Sequence, residues 1–412
     1  MTRAKLWTKL SKKKINDRIC KALDNNVNFL EEDIIGIPGS HLDEKVFYND
    51  APFLKDAPYM SMMVRNPNHI GCHTLGNSER FFSGTQELEK ELIQICGQEI
   101  MRGGLDEEFD GYVSSGGTEA NLQAIWIYRN YFMYEMQSTL DEICIVCSED
   151  SHYSMHKASN LMQIEIAIVP VDDNNRSLKE EALHEQLLKL KESGKKHFII
   201  VANMMTTMFG SVDNIHVYTE ALKALDLSYK IHIDAAFGGF FYPFTDAENA
   251  LDFSNPEVSS ITLDAHKMVQ APYGTGVFLI RKNYMEYVKT TKASYVAGHD
   301  ITLIGSRSGA NAIAVWMILR TYGRYGWIEK ISILLKRAHW LAKKLTEKKI
   351  TYYWHPNSNI FTIRAQFVSD KIAYEFGLVP DNHDSPNWYK IVIMEHVEFE
   401  HLIMLVDRFG EQ

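Results

Sequence analysis

The sequence predicts an α/β fold, a mainly parallel sheet flanked by helices on both faces, with a smaller C-terminal α+β domain. Two observations predict it. Between residues 110 and 285, short runs that are apolar throughout alternate with polar stretches of helical period, the pattern of buried strands joined by crossover helices. Beyond Gly309 the alternation stops, and one long helical stretch gives way to short extended runs.

In chain order, Leu122, Ile125, Trp126 and Arg129 fall at helical spacing after a pair of glycines. Extended runs follow at 143–147, 164–169, 198–202, 231–235, 259–263 and 274–280, with helical periodicity over Ser177–Ser193 and Asn214–Lys230 between them. Gly309–Glu347 reads as helix, with Gly323 and Gly326 as the expected breaks. Extended runs at 349–354, 360–365 and 389–394 surround a polar helix, and residues 380–388 are the clearest loop. The chain thus divides into a helical arm and dimerisation segment (1–70), a large α/β domain (71–305) and a small α+β domain (306–412). The arm is rich in Lys and Arg, with Leu6, Leu10 and Ile15 on an apolar side. It lacks the apolar core of a secretory signal and reads as a docking helix, with a transit peptide as the rival reading.

Composition excludes several classes of function. The 412 residues are 45% hydrophobic and 23% charged, the balance of an ordinary globular enzyme. A formal net charge of −10 offers no electrostatic footprint for nucleic acid. No run approaches the roughly 18 uninterrupted apolar residues of a membrane span, so no membrane partner is expected. Five scattered cysteines fit reduced thiols in a cytoplasmic protein. Cys144 and Cys147 stand three apart in an extended run and so face opposite sides, which prevents them from chelating one ion. His152 and His156 lack the glutamate of a zinc-binding helix, and no metal is expected.

Three short runs carry chemistry. Ser114-Ser115-Gly116-Gly117-Thr118-Glu119 places two glycines before a helix start, whose free N–H groups and positive dipole end favour an anion. It has neither the lysine of a Walker loop nor the spacing of a dinucleotide fingerprint, and a plain glycine turn would also satisfy it. In His232-Ile233-Asp234-Ala235-Ala236, an aspartate ends an apolar run, where its charge needs a cation or a strong donor; a helix cap is the alternative. Ile261-Thr262-Leu263-Asp264-Ala265-His266-Lys267 ends in a lysine ahead of Pro272-Tyr273-Gly274. Such a lysine is either a snorkelling surface group or a nucleophilic amine. An anion cradle, a buried aspartate and a poised lysine are together the parts that hold pyridoxal phosphate.

In these runs the chain resembles the group II pyridoxal-dependent amino-acid decarboxylases, from about His69 to Gly309 and more weakly beyond. The resemblance implies the fold of type I pyridoxal-phosphate transferases. It implies Lys267 as the Schiff-base lysine, Asp234 as the partner of the pyridine nitrogen and Ala236 against one face of the ring. It places His152 on the other face, Thr207 near the ring oxygen, and Gly117, Thr118 and His266 on the phosphate side. Met205 stands where the family commonly has glycine, a departure that puts the geometry of that loop in question. Tyr295 is the candidate for the acid that protonates the substrate α-carbon, with His299 as its competitor. The implied activity is α-decarboxylation of an L-amino acid to an amine and carbon dioxide by a cytoplasmic homodimer. The resemblance leans to a histidine- or tyrosine-like substrate. Arg307 and Arg364, each able to grip a carboxylate bidentately, keep acidic amino acids open. The rival readings are a carbon–carbon lyase of the sphingosine-phosphate type and a catalytically silent scaffold.

Overall fold

The computed structural model describes residues 68–70, 74–76, 83–104, 107–245, 248, 250–290 and 299–409, together with residues 13, 33, 35, 36, 43, 45 and 46. Most of the expected arm, with Leu6, Leu10 and Ile15, and Tyr295 lie outside the described residues. Strand β1 (Asn68–Ile70) precedes helix α1 (Ser83–Gln94). Strand β2 (Phe109–Ser114) then turns directly into helix α2 (Gly117–Glu135). The alternation continues through β3 (Ile143–Ser148), α3 (Ser154–Met162), β4 (Glu165–Val169), α4 (Glu180–Glu192), β5 (His197–Asn203) and α5 (Ile215–Ala224). It closes with β6 (Ser228–Asp234), β7 (Val258–Asp264) and β8 (Gly276–Arg281).

These strands form one seven-stranded sheet in the order β2-β8-β7-β6-β5-β3-β4. Strand β8 runs antiparallel to both its neighbours, and all other pairs are parallel. The carboxyl ends of β2, β3, β5, β6 and β7 therefore open on one edge, where sheets of this kind receive ligands. Every residue of β2, β3, β5 and β7 is buried, as two covered faces require. Along β3 the faces alternate: Cys144 packs in the cluster with Leu183 and Leu187, and Cys147 in the cluster with Ile125 and Ala158. The two thiols do face opposite sides, and burial pushes each up to about 12.

Three elements depart from the expected pattern. Strand β2 has no continuous apolar run, because Asp110 and Gly111 interrupt it; it pairs along its whole length with β8. Gly111 is needed there, since a Cβ would lie 2.0 Å from the Phe278 carbonyl oxygen. The helix expected over Asn214–Lys230 ends at Ala224; Asp226 takes φ 53°, and the chain re-enters the sheet at Ser228. In the long helix α6, only Gly323 leaves helical geometry, at φ 60°, whereas Gly326 remains helical.

Strand β9 (Ser306–Ser308) pairs antiparallel with β1 and leads into α6 (Gly309–Glu347). The remaining elements are β10 (Tyr352–Trp354), β11 (Ile360–Arg364), α7 (Asp370–Glu375), β12 (Val379–Pro380), β13 (Trp388–Val392) and α8 (Phe399–Arg408). Their strands make an antiparallel sheet in the order β10-β11-β13-β12. Helix α8 presents Leu402, Leu405 and Val406 to the core, and Phe399 meets Trp340 of α6 edge to face at 5.7 Å. Full burial of each such aliphatic side chain stabilises the fold by about 1.5–3 kcal/mol.

Candidate active site

A cavity of about 490 Å³ opens at the carboxyl edge of the large sheet. It is lined by Gly117, Thr118, His152, Thr207, Asp234, Ala236, His266 and Lys267, so eight of the nine site residues expected from sequence share one cavity. The ninth, Tyr295, lies outside the described residues. His299 is exposed and is absent from the cavity lining among the described residues.

The turn from β2 into α2 builds the anion end. Gly116 sits at φ 143°, a conformation that disfavours any side chain. A Cβ on Gly117 would lie 2.8 Å from Asp264 Oδ2 and 3.2 Å from Ala236 Cβ, so only glycine lets the helix start approach the floor. Glu119 accepts from both the N–H and the hydroxyl of Ser115 at 2.6 Å and pins the turn. The N–H groups of Gly117 and Thr118, in the first helical turn, have no intrahelical carbonyl to meet.

The loop after β7 supplies the amine. Lys267 Nζ lies 3.1 Å from Asp264 Oδ2, and His266 Nε2 lies 3.6 Å from the same oxygen. Burial lowers the basicity of His266, which leaves it neutral near pH 7. Among the described residues, His266 Nδ1 and Asp264 Oδ1 are buried without a hydrogen-bond partner. Unpaired polar atoms beside an anion cradle and a free amine fit a polar, phosphate-bearing aldehyde such as pyridoxal phosphate.

Asp234, at the end of β6, accepts from Asn121 Nδ2 at 2.8 Å and from the Ala236 N–H at 3.1 Å. His152 stands after β3, with Nδ1 facing the Ser154 hydroxyl at 2.9 Å. Its basicity is lowered by burial, and the Asp234 charge opposes that effect. Thr207 lies on the loop after β5, where Met205 adopts φ 68°. The Met205 backbone thus takes the conformation that the family's glycine would provide, and its side chain is buried.

Sequence reasoning missed Asn121, Ser154 and Lys390. Lys390, on β13, donates to the Thr207 carbonyl at 3.2 Å. Burial, with repulsion from Lys267, lowers its pKa to about 8. Its signal was legible: a lysine inside the apolar run Tyr389–Val392. Of the four phenylalanines that follow β6 in the chain, Phe237, Phe240, Phe241 and Phe244, only Phe237 lines the cavity. Arg307 does not reach it either. Its guanidinium forms a bidentate pair with Glu89, and both side chains are buried. Arg364 stacks on Trp388 at 3.8 Å and also lies outside the lining. Neither arginine is placed to receive an acidic substrate.

Known proteins resemble this chain in sequence and in fold. Residues 85–353 match the family model of the pyridoxal-dependent decarboxylase conserved domain. A tryptophan decarboxylase of Clostridium sporogenes is 49% identical over 98% of this chain and 96% of its own. A probable L-tyrosine/L-aspartate decarboxylase of Methanocella arvoryzae is 31% identical over 83% of this chain and 90% of its own. In fold, L-methionine decarboxylase from Streptomyces superposes with a TM-score of 0.80 at 18% identity, over 98% of this chain and 95% of that one. No helix among the described residues is long and apolar enough to cross a membrane. The chain belongs to the pyridoxal-dependent decarboxylases, enzymes that use pyridoxal phosphate to remove the carboxylate of an amino acid.

Proposed function

We propose that this decarboxylase acts on a large aromatic L-amino acid of the indole or phenol class. The observation that carries this reading is the apolar part of the cavity wall. Leu122, Tyr153, Phe237, Leu303 and Ile304 offer apolar and aromatic surface among the lining residues, while Arg307 is paired with Glu89. An acidic side chain would enter that wall without a partner, at a cost of several kcal/mol. The relative named as a tryptophan decarboxylase, alike over nearly the whole chain, supports the same class.

The residues divide the work. Lys267 supplies the amine that attaches the cofactor, and Asp264 at 3.1 Å holds that amine in place. Gly117, Thr118 and His266 would hold its phosphate at the helix start, with Thr207 on the side of the ring oxygen. Asp234 would pair with the ring nitrogen, and Ala236 and neutral His152 would enclose the ring. When bound, pyridoxal phosphate supplies the electron sink that accepts the bonding pair as carbon dioxide departs. Lys390 adds a cation behind Thr207 that favours a substrate carboxylate nearby. Tyr295 donates the proton to the α-carbon; the exposure of His299 favours the tyrosine.

We also assign a cytoplasmic homodimer. Leu303 and Ile304, 38% and 41% exposed beside the cavity, are apolar groups that a second copy would cover, and two-fold dimers are the commonest closed assemblies. The substrate reading is tested by incubating the enzyme and pyridoxal phosphate with each of the twenty amino acids and identifying the amines formed. Tryptamine or tyramine as the main product supports it. A main product from glutamate or aspartate refutes it.

A further inference from the structure

Behind the cavity lies a connected set of polar side chains that the chemistry above does not use. Asn121, Ser154, His232, Ser260 and Tyr128 are each 1% exposed or less. Asn121 stands at the junction. Its Nδ2 donates to Asp234 Oδ2 at 2.8 Å and to Ser154 Oγ at 3.0 Å, and its Oδ1 meets His232 Nε2 at 2.9 Å. His232 Nδ1 meets Ser260 Oγ at 2.7 Å, and Ser260 Oγ meets the Tyr128 hydroxyl at 2.5 Å.

These contacts allow one consistent placement of protons. A carboxylate only accepts, so the amide nitrogen of Asn121 must face Asp234 and its oxygen must face His232. His232 therefore carries its proton on Nε2 and accepts at Nδ1 from Ser260, which in turn accepts from Tyr128. Burial lowers the pKa of His232 to about 4, so it remains the neutral tautomer near pH 7. On the other branch, the Ser154 backbone N–H donates to His152 Nδ1 at 3.2 Å, and the Ser154 hydroxyl faces the same nitrogen at 2.9 Å. His152 therefore carries its proton on Nε2 as well.

We propose that Asn121, held in one orientation by His232, is a positioning residue that orients Asp234 and His152 together toward the cofactor. The proposal rests on the reading of Asp234 and His152 as cofactor contacts. Without the His232 donor, the Asn121 oxygen is left unpaired in the core. The amide is then fixed only through its nitrogen, by Asp234 and Ser154, and is free to tilt. A tilt weakens the hydrogen bond to the charged carboxylate and the bond to Ser154 that aims His152. A purely architectural histidine would make similar contacts, yet both branches from Asn121, one to Asp234 and one through Ser154 to His152, end on groups that line the cavity.

The test compares His232→Leu, His232→Gln and Ser260→Ala with the wild type in the full-length enzyme. Three readouts are taken: the dissociation constant of pyridoxal phosphate, the pH midpoint of its visible absorption band, and stability in urea. His232→Leu should weaken cofactor binding roughly tenfold to a hundredfold and shift the midpoint. His232→Gln, whose amide N–H can still reach Asn121, should stay within about threefold. Ser260→Ala should fall between them and keeps the test decisive if the leucine variant does not fold. Loss of stability in all three, with unchanged affinity and midpoint, overturns the proposal. A wild type with no visible band overturns the cofactor site itself, a distinct outcome.

Discussion

Replacing Glu89 with Gln should cost the fold about 3–5 kcal/mol, because it strands the Arg307 guanidinium in the interior. The Arg307 side chain is 5% exposed and that of Glu89 1%. With Nη2 and Oε2 3.2 Å apart and an effective dielectric constant of about 20, their attraction is worth about 5 kcal/mol. Burying the two ions consumes most of that, so the pair itself contributes little net stability. Removing one charge leaves the other's desolvation cost unmatched. Gln retains an oxygen for the Val113 N–H, which Glu89 accepts at 2.7 Å, so the loss isolates the charge. Replacing both residues, as Glu89→Leu with Arg307→Met, should cost less than the single change. Its penalty is set by the orphaned Val113 N–H, at about 1–3 kcal/mol. Urea denaturation of the two variants and the wild type measures these differences. A Glu89→Gln shift below about 0.5 kcal/mol, the usual effect of a surface change, would refute the reasoning. So would an Arg307→Met enzyme that selectively loses acidic substrates, since the guanidinium would then be a substrate group.

Three further outcomes are expected. Gly117→Ala places a Cβ 2.8 Å from Asp264 Oδ2, which is held by Lys267; it should cost about 1–3 kcal/mol and release pyridoxal phosphate more readily, as absorbance during dialysis would show. Met205→Gly relieves left-handed strain of about 1–2 kcal/mol but removes a buried side chain worth about 2–5 kcal/mol, so the variant should melt below the wild type; a higher melting temperature would contradict this. Burial raises the Asp213 pKa from 3.8 to about 7 in the folded state, so folding takes up a proton across that window. Wild-type stability should therefore fall as pH rises from about 4 to 7, by up to ~1.4 kcal/mol per unit, and Asp213→Asn should flatten that slope; parallel pH profiles would contradict the assignment.

The large sheet was legible because parallel strands buried on both faces announce themselves as continuous apolar runs, and six of its seven strands did so. Strand β2 did not, since Asp110 and Gly111 break its run; only pairing with β8 and the close approach of Phe278 reveal why glycine is there. The cavity residues were legible as a motif set because each follows a strand or opens a helix, positions fixed by the topology. Asn121 and Ser154 were not, and the lysine inside the run Tyr389–Val392 did not disclose its partner, for these groups act across the fold: Asn121 meets Asp234 over 113 residues, and Lys390 meets Thr207 over 183. Arg307 was misread for the same reason. Its partner Glu89 lies 218 residues away, on a helix whose approach the sequence does not disclose.

The central claim is that Lys267 carries the cofactor. Borohydride reduction of the yellow holoenzyme, followed by digestion and peptide mass mapping, tests it directly. The account predicts a single reduced pyridoxyl-phosphate adduct on the peptide containing Lys267, and none in a Lys267→Ala variant that still binds the cofactor without a covalent bond. An adduct on Lys390 or any other lysine, or no adduct at all, would contradict it.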